Sequence, residues 1–104
     1  MFSLAFNPSV EADIRDTRFW YNDKLQNLGD EYQEKVLECF DGILSNPKST
    51  PIQFDNVRVR RIQARFPHYV HYEIFDETNK ILILGVLHAK RDRELTKERN
   101  TNIF

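Results

Sequence analysis

Seven consecutive residues from Ile81 to Leu87, ILILGVL, carry no polar side chain. The run is too short to cross a bilayer, and its branched aliphatic residues suit a strand covered on both faces. Such a strand needs neighbours on each side and an apolar layer packed on it, so the rest of the chain has to supply both. Gly85 inside the run marks a point where a helix or side chain comes close.

Upstream lie two further extended segments. Val57 to Phe66 (VRVRRIQARF) is closed by Pro67, and Val70, Tyr72 and Ile74 then alternate with His71 and Glu73 up to Asp76-Glu77-Thr78-Asn79. With Ile81–Leu87 they predict a three-stranded antiparallel meander. Val57 and Val59 have one parity, whereas Ile62, Ala64 and Phe66 have the other, and a bulge near Arg60-Arg61 reconciles the two. That arrangement puts Arg58, Arg60, Arg61 and Arg65 on a polar, cationic face, joined beyond the last strand by Lys90 and Arg91.

The first half reads as support. Phe2–Phe6 is a short strand, and Asn7-Pro8 opens a helix with Glu11 and Asp13 in its first turns. Val10, Ile14, Thr17, Tyr21, Leu25 and Leu28 form its apolar stripe, with Phe19 and Trp20 widening it toward the second helix or a partner, a helix-pair contact being the commoner outcome. Leu28-Gly29 is the expected stop, Gly29 taking the left-handed position, and Asp30 with Gln33 the capping-box start of a second helix. Tyr32, Val36, Phe40 and Ile43 are its buried stripe, and Asn46-Pro47 its exit into a polar connector, KSTPIQFD. The expected fold class is therefore α+β, a two-helix hairpin on a small antiparallel sheet in the order β-α-α-β-β-β. A single domain spans 1–104, with 92–104 as a tail.

Charge separates the halves. Ser9–Asn46 holds nine acids and four bases (−5), and Val57–Phe104 holds ten bases and six acids (+4), although the whole chain is only −1. A polyanion or an acidic partner is steered toward the sheet half. The lone Cys39 cannot form an internal disulfide and reads as a core side chain. MFSLAFNPS lacks the basic start and long apolar core of a secretory signal, so a cytoplasmic location, away from membranes, is expected.

His88 follows the most buried strand, where its imidazole is placed to exchange protons, and arginines beside it suit metal-free phosphodiester cleavage. The competing reading makes the same basic residues a docking surface for an acidic partner, and it is preferred. His68 and His71 fall on opposite faces of one strand with no cysteine or carboxylate cluster nearby, so no metal is expected, and no cofactor motif is present.

The order and wording of these pieces resemble the RelE/ParE superfamily of type II toxins, the plasmid stabilisation proteins. The matching pieces are the early strand with its Asn-Pro helix start, Phe19-Trp20-Tyr21, Leu28-Gly29, Ser45-Asn46-Pro47, Arg65-Phe66-Pro67-His68-Tyr69-Val70, and Ile81–His88 followed by Arg91-Asp92. The resemblance implies a toxin neutralised by a cognate antitoxin, whose acidic tail would meet Arg58, Arg60, Arg61, Arg65, Lys90 and Arg91. For RelE-like members it implies ribosome-dependent mRNA cleavage, with Arg65, His88 and Arg91 as the catalytic set. For ParE-like members it implies growth inhibition through DNA gyrase. No tyrosine follows Tyr72, and the tail offers only Thr and Phe where a RelE-like enzyme usually carries a tyrosine or histidine, so the ParE-like reading is favoured. The alternatives are the nuclease and a non-toxic remnant that only binds antitoxin.

Overall fold

The computed structural model describes residues 1–63, 65–88 and 99. In chain order the elements are β1 (Ser3–Phe6), α1 (Ser9–Lys24), α2 (Leu28–Ser45), β2 (Ile52–Phe54), β3 (Val57–Arg61), β4 (Tyr69–Phe75) and β5 (Lys80–Leu87). Among the described residues the strands form one sheet, ordered β1-β5-β4-β3-β2. The ILILGVL strand is flanked on both sides, and Ile81 to Val86 are all buried, as a doubly covered strand requires. Two helices pack on this sheet, which is the expected α+β arrangement. No described helix is long and apolar enough to cross a membrane.

The sheet is mixed. β1 lies parallel to β5, with Leu4 beside Ile81 and Phe6 beside Ile83, while the other pairings are antiparallel. Parallel neighbours need a crossover rather than a hairpin, and the helix pair lies in the long connection between them. The polar connector also holds a strand that the sequence reading leaves out. β2 pairs with β3 through a two-residue turn at Asp55-Asn56, whose φ values of 46° and 65° are the left-handed pair that such hairpin turns demand.

The bulge sits in a different place from the one expected. β3 pairs regularly with β4 through Arg60–Val70 and Arg61–Tyr69 and then stops. The Ile62 N–H donates to the His68 carbonyl at 3.0 Å, so Ile62 and Phe66 reach the core from a loop and their change of parity needs no bulge. Register shifts fall elsewhere, in β2 between Ile52 and Phe54 and in β5, where Tyr72 pairs with Ile83 and His71 with Gly85, leaving Leu84 as the extra residue.

The helical turn also corrects the sequence reading. Gly29 lies inside α2 and has no positive φ; Asn27, with φ 67°, takes the left-handed position instead. Gly29 is needed for proximity, since a Cβ there would overlap the Arg18 carbonyl oxygen of α1. Its N–H donates to Asn22 Oδ1 at 2.6 Å, and Arg18 pairs with Asp30 at 2.8 Å, so the hairpin is cross-tied where the helices touch. Asp30 is thus an interhelical partner rather than the first residue of a capping box.

One core cluster fills the space between helices and sheet, built on Tyr32, Val36, Phe40 and Ile43 of α2 with Val70, Tyr72, Ile81 and Ile83 of the sheet. Phe54, Val57, Leu82 and Leu84 form a second on the opposite face. Beyond Phe6, β1 no longer covers β5. There Asp13 of α1 accepts from the Val86 N–H at 3.1 Å, and Arg99 donates to the Leu84 carbonyl at 3.0 Å. The two side chains pair at 2.7 and 3.1 Å, each only 13% exposed, so one ion pair satisfies the open stretch of edge.

Candidate functional site

The arginines of β3 split between the two faces of the sheet. Cross-strand partners share a face, and Arg58 pairs with Tyr72 and Arg60 with Val70, both in the core beneath the helices. Arg58 and Arg60 are accordingly half-buried on the helix side, a correction to the single open cationic face expected from alternation. Arg58 Nη1 donates to the Thr50 carbonyl at 2.6 Å, and the Tyr72 hydroxyl donates to the Pro47 carbonyl at 2.8 Å; together they pin the exit from α2. The Arg60 guanidinium lies against Gly42 in the last turn of α2, which carries no basic residue of its own. It supplies the positive charge that a helix C-terminus favours.

Arg61 and Arg65 are the exposed ones. Arg61 lies 6.0 Å from the Tyr69 ring centroid, and Arg65 forms a 3.0 Å ion pair with Glu31. An exposed pair of that kind is worth well under about 1 kcal/mol, so a partner's carboxylate can displace it. Lys90 and Arg91 lie outside the described residues.

His88 projects from the end of β5 into a cleft of about 540 Å³. Among the described residues its walls are Asp16, Thr17, Trp20 and Tyr21 from α1, Pro67 and His68 from the loop entering β4, and His88. Sequence reasoning sets His68 aside, yet here it is the central wall. Its Nε2 pairs with the Tyr21 hydroxyl at 3.0 Å, the direction set by the tautomer, and its ring meets those of Tyr21, Tyr32 and His88 edge-on at 5.7, 5.1 and 5.2 Å. His68 is 6% exposed, and its Nδ1 has no hydrogen-bond partner among the described residues. Burial, helped by the neighbouring His88, holds its pKa down at about 4, so the ring is neutral near pH 7. Burial likewise raises the Tyr21 phenol.

His71 occupies the other face, 6.3 Å from Phe54, so the two histidines do not share a site. No group of three or more His, Cys, Asp or Glu residues placed to hold a metal exists among the described residues. Cys39 is buried, and desolvation pushes its thiol to about 11 even with Arg60 nearby, which suits a packing role.

Phe19 and Trp20 do not join the helix-pair core: they are 77% and 57% exposed, with Lys24 Nζ 5.1 Å from the indole centroid. Leu25 beside them is 57% exposed as well. Adjacent apolar side chains left open next to a cleft are characteristic of binding surfaces. Chemically the site offers one exposed imidazole, that of His88, and no arginine lines it among the described residues.

No curated protein matches the chain by sequence. By structure it is similar to the chromosomal ParDE TA system from P. aeruginosa, with a TM-score of 0.70 and 18% identity over 84% of this chain and 95% of that one. It is also similar to the isolated E. coli RelE toxin, with a TM-score of 0.60 and 16% identity over 94% of this chain and 95% of that one. At these identities the likeness establishes a shared fold, the RelE/ParE arrangement of a helix pair on a sheet. The model of the ParE toxin of type II toxin-antitoxin system, parDE, matches residues 4–93, nearly the whole span from β1 past β5. A match of that extent places the chain in the ParE toxin family of type II toxin–antitoxin systems.

Proposed function

We propose that the chain is a cytoplasmic toxin that arrests growth by binding an essential target, DNA gyrase being the candidate, without covalent chemistry of its own. The observation that carries this reading is the employment of the arginines. Arg58 and Arg60 hold the end of α2 and its exit loop, Arg65 is paired with Glu31, and His88 faces a cleft whose described lining has no cation. Beside that cleft, Phe19 and Trp20 present large exposed apolar side chains. Neutralisation falls to an antitoxin whose acidic tail meets Arg61 and Arg65, which are more exposed than the half-buried Arg58 and Arg60. Replacing both by glutamate should weaken antitoxin binding and leave growth arrest intact. Unchanged antitoxin affinity in that variant would remove these residues from the interface.

The exposed His88 favours a second reading, ribosome-dependent cleavage of mRNA by Arg65, His88 and Arg91. Primer extension on translated message after induction separates the two. Intact transcripts during arrest support target binding, and new codon-linked ends lost on His88→Ala transfer the assignment to the nuclease. Induction without any growth defect would instead mark a chain that retains only antitoxin binding.

A further inference from the structure

We propose that the cleft between α1 and the end of β5 is a cation-accepting pocket for an arginine side chain, presented by a basic segment of a protein partner. This goes beyond the toxin reading and holds whichever essential target is bound. It also assigns the cleft an occupant opposite in charge to an acidic antitoxin tail.

The walls are those of a cation site. The Trp20 and Tyr21 rings stand 5.1 Å apart at 78°, and the His68 and His88 rings 5.2 Å apart at 82°, so aromatic surfaces turn at right angles around the opening. Electron-rich ring faces attract guanidinium, and indole is the strongest of them. Trp20 already serves in this way, with the Lys24 ammonium 5.1 Å from its centroid. Asp16 supplies a carboxylate on the same wall. Its ion pair with Arg15 is between side chains 62% and 73% exposed, too weak to withhold it from an incoming cation. Among the described residues that line the cleft none is a lysine or arginine, the buried His68 is neutral, and the Lys24 ammonium over the indole is the cation that an incoming arginine would displace.

The surroundings agree. Ser9–Asn46, which contains α1 and α2, carries −5, and steers basic segments toward this side. A cleft of about 540 Å³ has room for a long side chain together with its flanking residues. Arginine fits better than lysine because its planar head stacks on a ring while its three methylenes lie along apolar wall.

Trp20 is the chain's single tryptophan, so its emission reports on this cleft directly. The full chain is titrated with a capped Gly-Leu-Arg-Leu-Gly peptide and with counterparts carrying citrulline or glutamate in place of arginine. The proposal expects a saturable change with the arginine peptide, about ten-fold weaker binding of the citrulline one, and none of the glutamate one. Asp16 is exposed, so D16N should melt like the parent while weakening the arginine peptide about five-fold or more. Citrulline binding as well as arginine, D16N binding like the parent, or no saturable change with the arginine peptide would each overturn the proposal.

Discussion

Acid should weaken this fold through His68 in particular. The ring is wedged among Tyr21, Tyr32 and His88, 6% exposed, with a pKa near 4 against an ordinary value of 6.5. Above pH 6.5 the residue is neutral in both folded and unfolded chains and contributes nothing to the pH dependence. Between 6.5 and 4 the unfolded chain binds a proton that the folded chain refuses, so stability falls as pH falls and levels off below the folded pKa. The limiting slope is about 1.4 kcal/mol per pH unit, and the whole window is worth about 3 kcal/mol. Other groups titrate here too, so the measurement is a difference. Urea unfolding of the parent and of His68→Phe, which keeps the ring volume and removes the titration, is compared from pH 7 to pH 4. The parent should lose about 3 kcal/mol more than the variant across that window. Parallel curves, or a His68 ring titrating near 6.5 by NMR, would show that burial does not hold the ring neutral.

Two further outcomes follow from the packing. Gly29→Ala drives a methyl into the Arg18 carbonyl and forces the helices apart, at about 2–3 kcal/mol or a Tm drop on the order of 10 °C, read by thermal unfolding; an unchanged Tm would contradict the close approach. Arg99→Ala leaves Asp13 buried beside the bare edge of β5, which should cost about 3–5 kcal/mol in urea unfolding, with Asp13→Asn losing less because it retains an acceptor for the Val86 N–H.

Patterns of strong local period were readable from the residues. ILILGVL, the Tyr32-Val36-Phe40-Ile43 stripe, and the Asn-Pro signals before α1 and after α2 each state their own structure. What escaped was set by distance or by register. Asp13 and Arg99 stand 86 positions apart and meet only because β1 ends before β5 does. Arg58 and Arg60 alternate as solvent-facing residues should, but their strand lies beneath the end of α2, where carbonyl groups at a helix terminus attract cations; parity identifies a face without saying what covers it. β2 is three residues long beside Pro51, too short to show a period, although Asp55-Asn56 is a recognisable hairpin turn. His68 carries no signal as a metal ligand, and what marks it is the set of rings that only the fold collects around it, Tyr21, Tyr32 and His88.

A toxin that works by binding and not by cleavage is best examined with purified gyrase and relaxed plasmid. The chain should inhibit supercoiling or trap cleaved DNA in proportion to its concentration, Trp20→Ala or Phe19→Ala should weaken this, and His88→Ala should leave it unchanged. Supercoiling that proceeds unchanged at excess protein would contradict it.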